Sequence, residues 1–444
     1  MVKKLSARLR NLGESKVLVI GDLMLDTYTI GKVRRISPEA PVAVLQVQKE
    51  EHRAGGAGNV MLNLISLGAS VVAIGRVGQD ETGTKLCRAL EAEHIDVRGI
   101  VTHSGFVTPV KNRIIANNQQ IVRVDHETAL SIPELLEQQI VESLPELLQD
   151  VKIVAISDYG KGLLTKTLLA ALIDQAKAYG IPVIADPKGN DFTKYMGVHV
   201  LKPNLQEAYA AANLPLDAPL EQVADKVLEQ SQAEALMITR SEEGISLFYR
   251  DGQREDLPVS IREIRDVTGA GDTVLAMLAY AMANQLSLSD AAQLSNLAAG
   301  IAIEHFGCAR VSLTEVARRL LEKDTENKVF DADHLFVLEK ALFGRKYALL
   351  AVQNCAGLSP LMFNLIRNLS QEKTRDLVVY LSESNPNPHL IDLLASLQEV
   401  SFIMLKGENL RALSDLIQPD EVHIVDDQVV KQVDNLEQLW EIEV

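Results

Sequence analysis

The stretch that decides the fold is DVTGAGDTVLAMLAYAMA, residues 266–283, in which two glycines precede an aspartate and a run of strong helix formers. A helix begins with unpaired backbone N–H groups and a partial positive charge. Gly269 and Gly271 let a ligand approach that backbone closely. The stretch therefore predicts a helix start that binds an anion, such as a phosphate or a phosphoryl group in transfer.

Asp272 lies at the mouth of this predicted anion site. A carboxylate there can accept the proton of a sugar hydroxyl that attacks phosphorus. The plainer alternative is an ordinary turn followed by a helix-capping aspartate, and Gly-Ala-Gly-Asp alone does not separate the two. A Walker phosphate loop is not the explanation, because the chain contains no G-x-x-x-x-G-K-[ST].

Three further segments combine polar residues or glycines with a predicted strand end or helix start. They are GDLMLD (21–26), AGGAGN (54–59) and KPNLQE (202–207). In open α/β sheets, ligands bind beyond the carboxyl ends of the strands. Four such segments in one chain indicate a ligand site more strongly than any one of them.

The composition excludes several classes of protein. The net charge is −16, and no basic face for a nucleic-acid duplex is evident. No apolar run approaches the roughly 18 residues of a membrane span, and the basic N-terminus precedes too short an apolar run for a signal peptide. Three cysteines without pairing or metal spacing fit a reducing cytoplasm. We expect a cytoplasmic protein with no membrane or nucleic-acid partner.

Short apolar runs alternate with helix-like segments through the first two thirds of the chain, which is typical of parallel βαβ units. The runs are 17–20, 71–74, 152–157, 182–186, 199–204 and 235–240. Segments 28–48 and 107–125 alternate instead like exposed strands, and the second predicts a hairpin with Asn117-Asn118 near its turn. The predicted fold is a doubly wound α/β core with a small β appendage.

The α/β pattern restarts after a polar, charged stretch. The later apolar runs are 346–352, 376–382, 400–405 and 421–427. We therefore predict a first domain over 1–320, a linker over 321–333 and a smaller α/β domain over 334–444.

Together these motifs resemble those of the ribokinase/PfkB carbohydrate kinases, and most closely the branch of D-glycero-β-D-manno-heptose 7-phosphate kinases. DVTGAGDT resembles the C-terminal signature of the family and GGAGN its N-terminal one. The resemblance covers residues 12 to about 315. The segments that carry it are GDLMLD, RISPEAPVAV (35–44), GGAGN (55–59), NNQQIVRVD (117–125), SDYGKG (157–162), DPKGNDF (186–192), KPNLQE, TRSEEGISL (239–247) and DVTGAGDTV.

The resemblance implies a ribokinase-like three-layer α/β/α core with a β-sheet lid built from 28–48 and 107–125, through which family members often dimerise. It implies ATP- and Mg²⁺-dependent phosphorylation of the anomeric hydroxyl of the heptose 7-phosphate, a step toward the ADP-heptose of lipopolysaccharide. The alternatives are a kinase for another sugar phosphate and a catalytically inactive scaffold. The intact 269–272 stretch argues against the scaffold.

The family's functional residues carry over to matching positions. Asp272 matches the catalytic base, and Gly269, Ala270 and Gly271 would donate backbone N–H groups to the transferring phosphoryl. Glu207 would organise Mg²⁺ through water, and Asp266 would either place a monovalent cation or cap a turn. The predicted ATP-binding residues are Asn204, Leu205, Gln206, Glu207, Thr239, Ser241, Gly244 and Asn296.

The sugar would contact carboxylate, amide and glycine positions, since carboxylates and amides can pair several hydroxyls. The predicted set is Asp22, Asp26, Gly55, Gly56 and Asn59. One or more of Lys111, Arg113 and Arg123 would hold the 7-phosphate, against the alternative of a solvated strand face. Asp158, Lys161 and Lys188 match motif positions near the nucleotide or the sugar.

The C-terminal domain resembles the ADP-heptose adenylyltransferases of the nucleotidyltransferase superfamily, which need an H-x-G-H motif after their first strand. Ser359-Pro360-Leu361-Met362 stands at that place, and no side chain there donates as imidazole does. We therefore predict a degenerate domain without adenylyl transfer. The alternative is a bifunctional enzyme whose second site has no recognisable motif.

Overall fold

The computed structural model describes residues 5, 8–9, 12–117, 119–259, 264–305, 307–323, 328–331, 334–353, 355, 357–370, 375–383, 385–406, 410–426 and 429–433. Asn118, predicted near a hairpin turn, lies outside these residues. Contacts within the chain define one compact unit over Leu12–Ser312, and the chain from Leu313 onward belongs to a second unit. The division into 1–320, 321–333 and 334–444 stays a prediction.

Strands and helices alternate along the Leu12–Ser312 unit. Its strands are β1 (Lys16–Gly21), β2 (Leu23–Ile36), β3 (Ala43–Gly56), β4 (Ser70–Gly78), β5 (Asp96–His103), β6 (Val110–Ala116), β7 (Gln119–His126), β8 (Ile153–Ser157), β9 (Val183–Asp186), β10 (Val200–Leu201), β11 (Ala235–Thr239), β12 (Ile245–Tyr249) and β13 (Arg254–Leu257). Its helices are α1 (Ala57–Leu67), α2 (Glu81–Ala92), α3 (Glu134–Leu147), α4 (Lys166–Ala178), α5 (Leu205–Ala212), α6 (Leu220–Ser231), α7 (Ala270–Ala283) and α8 (Leu288–Ala302).

The central sheet has nine strands in the order β13-β12-β11-β10-β9-β8-β1-β4-β5. All neighbouring strands from β5 to β11 are parallel. Strand β12 pairs antiparallel with both β11 and β13. The six predicted strands all lie in this sheet. Because the chain passes from β1 to β4 on one side and later places β8 on the other, the strand order reverses between β1 and β8. Ligands bind at such a reversal in open α/β sheets.

Helices cover both faces of this sheet, which explains why its strands read as continuous apolar runs. Leu18 and Ile20 of β1 join a core cluster with Leu144 of α3 and Leu172 of α4. The alternate side chains of β1 point to the opposite face, where α1 and α7 pack. Every residue of α7 from 272 to 281 is buried. These layers confirm the predicted α/β/α core.

A separate four-stranded sheet, the lid, has the order β3-β2-β6-β7. Strands β2 and β6 are parallel and the other pairs antiparallel. This confirms the lid predicted from 28–48 and 107–125. Strands β2 and β3 extend further than predicted, to Leu23 and Gly56, so Asp26 and Gly55 lie within the base of the lid.

The second unit contains its own α/β sheet, with strand order β14-β17-β16-β15-β18-β19. Its elements are α9 (Leu313–Lys323), β14 (Val329–Phe330), α10 (Leu335–Leu342), β15 (Lys346–Gln353), α11 (Pro360–Leu369), β16 (Arg375–Leu381), α12 (Pro388–Ser396), β17 (Phe402–Leu405), α13 (Leu410–Ile417), β18 (Glu421–Asp426) and β19 (Val429–Val433). The four predicted strands form β15 to β18. Strand β14 lies within the segment predicted as a linker and pairs with β17. Within the described ranges, no helix has the length and apolar character to cross a membrane.

Candidate active site

The reversal between β1 and β8 brings the first predicted site residue against a backbone loop. Asp22 follows β1, and its Oδ2 accepts hydrogen bonds from the main-chain N–H groups of Tyr159 (3.0 Å) and Lys161 (2.9 Å), which follow β8. Burial raises the pKa of Asp22. Asp22 therefore fixes the loop that carries Tyr159 and Lys161.

Asp272 lies in the first turn of α7 and is 4% exposed. Its Oδ2 accepts a hydrogen bond from Asn59 Nδ2 at 2.8 Å, and its Oδ1 accepts one from the Tyr159 hydroxyl at 2.6 Å. Burial raises the pKa of Asp272 to about 6, although both hydrogen bonds act in the opposite direction. A carboxylate with that pKa suits a general base at neutral pH.

The start of α7 is open to an anion. Its N-cap, Gly269, has φ 80° and makes no side-chain cap. The Ala270 N–H donates to the Val267 carbonyl at 3.3 Å, whereas the Gly269, Gly271 and Asp272 N–H groups have no acceptor among the described residues. A Cβ on Gly269 would lie 2.8 Å from Asn59 Nδ2, so the close approach of α1 and α7 requires glycine there.

A cleft of about 410 Å³ adjoins this helix start, a size within the usual range of ligand pockets. Four predicted ATP-binding residues line it together with two from the glycine-rich stretch: Thr239, Ser241, Gly244, Asn296, Ala270 and Gly271. Its walls are otherwise largely apolar and include Ile245, Val274 and Ile303. The structure thus brings four of the predicted ATP-binding residues to one cleft beside the predicted phosphoryl site.

The other predicted nucleotide residues form the start of α5. Asn204 and Glu207 make a reciprocal capping box, in which each side chain accepts the other residue's main-chain N–H. Leu205 and Gln206 are the first two residues of this helix. Glu207 also forms an ion pair with Lys188 (2.7 Å). Asn204 and Glu207 therefore cap this helix. The Glu207 carboxylate is also paired with a cation that a phosphate would attract.

An ion pair that the sequence reasoning missed flanks the start of α7. Lys202 Nζ lies 2.8 Å from Asp186 Oδ2, and the Lys202 side chain is almost fully buried. A Cβ on Gly271 would lie 4.0 Å from both of these atoms. Burial raises the pKa of Asp186, and Lys202 opposes that rise. Both residues belong to quoted motifs, DPKGNDF and KPNLQE, so their position at the carboxyl ends of β9 and β10 was the available signal.

At the base of the lid, Asp26 and Arg113 form a buried ion pair with Oδ1 and Nη1 2.6 Å apart. Asp26 Oδ2 also accepts from the Cys308 thiol at 3.4 Å. A Cβ on Gly55 would lie 2.4 Å from Asp26 Oδ2, and Gly56 has φ 58°. The predicted sugar-binding residues of the lid base are therefore in mutual contact, and Arg113 is already engaged by a carboxylate.

The remaining predicted cations differ in their partners. Arg123 pairs with Asp125 (2.8 Å) on the exposed strand β7, and Lys161 pairs with Glu127 (2.6 Å). Lys111 makes no ion pair within the described part of the chain, and its Nζ lies 5.5 Å from the centroid of the Tyr159 ring. Asp158 accepts from Lys194 Nζ (2.5 Å) and from the Tyr195 hydroxyl (2.6 Å).

A second cavity, of about 310 Å³, lies on another side of Asn59. Arg53 and Arg310 line it, and neither was singled out from the sequence. Arg53 pairs with Glu51 and Arg310 with Glu93. Polar and apolar side chains both line the cavity, and its two guanidinium groups are already paired.

The residues present fit a water-mediated Mg²⁺ better than a fully protein-bound metal. Among the described residues, no group of three or more acidic, histidine or cysteine side chains is arranged to hold a metal ion. Mg²⁺ prefers oxygen ligands and retains several waters, so Glu207 alone is chemically adequate. Asp266 instead accepts from Thr268 and from the Gly307 main-chain N–H, which fits the turn-capping alternative.

Comparisons with known proteins agree with this geometry. The family model for pfkB family carbohydrate kinases matches residues 14–316. Bifunctional protein HldE of Geobacter metallireducens is 45% identical over 361 residues, which are 80% of this chain and 73% of that protein. HldE of Geobacter sulfurreducens is 47% identical over 72% of this chain, and this chain spans only 65% of its length.

Solved structures support the fold independently. Phosphofructokinase-2 from Escherichia coli in complex with potassium has a TM-score of 0.60 at 21% identity and covers 70% of this chain and 99% of its own. Ribokinase from Arabidopsis thaliana, complexed with ribose and ATP, has a TM-score of 0.55 at 18% identity and covers 69% of this chain and 99% of its own. At these identities the likeness shows the fold.

The lidded α/β/α core, its glycine-rich helix start and the buried aspartate define a sugar kinase of the ribokinase-like class. With the matching family model over 14–316, the chain belongs to the pfkB family of carbohydrate kinases.

Proposed function

We propose that this kinase transfers the γ-phosphoryl group of ATP to the anomeric hydroxyl of D-glycero-β-D-manno-heptose 7-phosphate and forms the 1,7-bisphosphate. The observation that carries this proposal is the buried Asp272 carboxylate beside the uncapped start of α7. The heptose-kinase motifs and the HldE relatives support the choice of sugar. The product would serve as a precursor of ADP-heptose for lipopolysaccharide.

In the proposed step, Asp272 accepts the proton of the anomeric hydroxyl as that oxygen bonds to the γ-phosphorus. The bond from the γ-phosphorus to the bridging oxygen breaks, and ADP leaves with that oxygen. The N–H groups of Gly269, Gly271 and Asp272, which have no acceptor in the described structure, would donate to the transferring oxygens. Lys202 lies close enough to this helix start to add a positive charge.

The nucleotide would occupy the 410 Å³ cleft, with its adenine against the apolar wall and Asn296. Glu207 would hold Mg²⁺ through water, and bound Mg²⁺ would neutralise phosphate charge. Lys188 can then exchange its pairing with Glu207 for a phosphate oxygen. A monovalent cation beside Asp266 remains part of the proposal on family resemblance.

For the sugar, we assign the hydroxyl contacts to Asp22, Asp26, Gly55, Gly56 and Asn59. We assign the 7-phosphate to Lys111, because Arg113 and Arg123 already pair with carboxylates. Asp158 and Lys161 act by shaping the loop after β8.

Substrate kinetics test this assignment. Removal of a charged hydrogen bond costs enough to raise KM about 10-fold, so Lys111→Met should raise KM for heptose 7-phosphate by that factor. Lys32→Met, on the exposed part of β2, is the matched control and should leave KM unchanged. A larger effect from Arg123→Met or Arg310→Gln would place the phosphate elsewhere.

A kinase for another sugar phosphate is the alternative, and a panel of hexose and heptose phosphates assayed by ³¹P NMR distinguishes the two. The heptose assignment requires the highest kcat/KM for the heptose 7-phosphate. A higher value for any other sugar phosphate contradicts it.

We further propose a cytoplasmic homodimer that associates through the lid, and a C-terminal domain without adenylyl transfer. Exposed apolar side chains on the lid strands, including Ile36, Val47 and Ile121, support the dimer. Light scattering should show a dimer that Ile121→Asp weakens.

The C-terminal proposal differs from the name of the relatives, which are called bifunctional. Formation of ADP-heptose from heptose 1-phosphate and ATP by the full chain would overturn it.

A further inference from the structure

Tyr159 stands out among the groups around Asp272 because neither motif assignment nor family resemblance gave it a role. It follows β8, and its hydroxyl donates to Asp272 Oδ1 at 2.6 Å across 113 residues of chain. Its main-chain N–H donates to Asp22 Oδ2. The residue is thereby fixed at its backbone by one predicted site carboxylate and at its side-chain tip by another.

We propose that Tyr159 is a positioning residue, whose hydroxyl holds Asp272 in the orientation and charge state of a general base. The inference rests on the proposed function, in which Asp272 takes the proton of the sugar hydroxyl. Tyr159 itself transfers no proton in this account. Burial and the neighbouring carboxylate raise its pKa well above the usual range, so the hydroxyl remains a donor.

The geometry leaves room for the substrate. A carboxylate offers roughly four lone-pair sites on its two oxygens. Tyr159 uses one site on Oδ1, and Asn59 Nδ2 uses one on Oδ2 at 2.8 Å. The two donors come from different parts of the chain, α1 and the loop after β8, and together they fix the orientation of the carboxylate plane. One lone-pair site on each oxygen remains for an incoming hydroxyl.

The Tyr159 ring also connects this carboxylate to the lid. Lys111, on lid strand β6, places its ammonium 5.5 Å from the ring centroid, within cation–π distance. The lid, the tyrosine and the base therefore form one contact chain. Movement of Lys111 toward a substrate phosphate would act on the ring that orients Asp272.

Other groups that influence Asp272 must be separated from Tyr159. Asp186, the last residue of β9, raises the pKa of Asp272, Lys202 after β10 lowers it, and Asn59 of α1 lowers it by hydrogen bonding. The Cys308 thiol also lies within the electrostatic reach of Asp272. A substitution that removes only the Tyr159 hydroxyl leaves all four in place.

The test is the pH profile of kcat/KM for Tyr159→Phe. Loss of one hydrogen bond to a charged acceptor should move the acid limb to higher pH by about 1 unit. The variant should therefore be about 5-fold slower than wild type near pH 6, about 10-fold slower well below that pH, and equal to wild type at high pH. Ionisations of the substrate phosphates are common to all variants, so the displacement between variants is the quantity measured.

Tyr280→Phe is the matched control. Tyr280 lies on the same helix as Asp272, is buried, and donates its hydroxyl to the Gly13 carbonyl at 3.1 Å, away from the site. Its acid limb should coincide with that of wild type. ATP binding verifies that each variant is folded, and Tyr159→Met, which also removes the donor, serves if the phenylalanine variant fails to fold.

An unchanged acid limb in folded Tyr159→Phe, or an equal loss of rate at every pH, overturns the proposal. Asp272→Asn in the same assay separates this failure from failure of the proposed function. If Asp272→Asn is inactive and the Tyr159→Phe profile is unshifted, only the role of Tyr159 is wrong. If Asp272→Asn keeps the wild-type rate, the assignment of the base itself fails.

Discussion

The two units of this chain each contain a helix start whose first backbone N–H groups are treated in opposite ways. In the kinase unit, α7 begins at Gly269, which has φ 80° and no side-chain cap. In the second unit, α11 begins at Ser359, whose hydroxyl accepts the Met362 N–H at 3.2 Å. A capped start satisfies its own backbone, whereas an uncapped start leaves donors for a ligand.

The cavities near the strand ends of the two units differ as well. The cleft next to α7 holds about 410 Å³. A cavity by the ends of β15 and β16, lined by Val352, Leu381 and, near the start of α12, Leu390 among others, holds about 10 Å³, room for about one water at most. Two sheets of similar construction therefore differ in the residue that precedes a helix and in the volume of a cavity at their strand ends.

The largest effect should come from Asp272→Asn. The amide keeps the shape and loses the base, so kcat should fall by at least about 10²-fold, the scale of positioned acid–base catalysis. Steady-state ATP turnover with the sugar phosphate measures it. Asp96→Asn, which disrupts only an ion pair with Arg98 near the surface, is the control. Equal rates for Asp272→Asn and wild type would remove Asp272 from the mechanism.

Gly269→Ala should come next, with a loss of up to about 10²-fold in kcat. The new Cβ would clash with Asn59 and displace both the helix start and a hydrogen bond to Asp272. Gly252→Ala is a closely matched control, since Gly252 also has positive φ but its added Cβ would meet nothing within 4 Å. Similar loss in both variants would show that backbone strain alone, rather than the site, is responsible.

The change in rate with pH should be smaller than the effects of these two substitutions over the usual assay range. Asp272 must be ionised to accept a proton, and its pKa is raised to about 6 by burial. As pH falls through that value, the base becomes protonated and kcat/KM should decrease, approaching about tenfold per pH unit. A rate that stays constant from pH 7 to pH 5 would contradict the assignment.

Ser359→Ala should give the smallest effect. It tests the comparison by removing the side-chain cap of α11 in the second unit. Loss of an N-cap costs about 1 kcal/mol of stability, so the second unit should unfold at a slightly lower denaturant concentration. Kinase turnover should remain at the wild-type rate. A large loss of kinase activity would mean that this helix start takes part in the kinase reaction.

The parallel α/β core and the lid could both be predicted from the sequence, because buried parallel strands and exposed lid strands differ in their pattern of apolar residues. The strand interior of a run such as 152–157 is apolar at every position from 153 to 156 because helices cover both faces, whereas 28–48 alternates. The glycine-rich helix start was also predictable, since only glycine tolerates its backbone and contacts. The extension of β2 and β3 to Leu23 and Gly56 was not, because these strands continue from the buried core into the lid without a break in composition.

The site contacts between distant residues were the part that the sequence could not predict. Arg113 appeared equivalent to Lys111 as a phosphate ligand. In the register of β2 and β6, Lys111 is paired with Asp26 and Arg113 with Tyr28, yet it is the Arg113 side chain that reaches diagonally to the Asp26 carboxylate. Tyr159 stands inside a recognised motif, but its bond to Asp272 depends on how a loop after β8 meets a helix 113 residues later. Such pairings follow from packing rather than from local pattern.

The most direct test of the central claim is the identity of the product. Wild-type protein should be incubated with heptose 7-phosphate, ATP and Mg²⁺ and followed by ³¹P NMR. We predict a new phosphate resonance coupled to the anomeric proton, with the 7-phosphate signal retained and ADP formed in equal amount. Phosphate transfer to another position, or release of inorganic phosphate without a sugar product, would contradict the account.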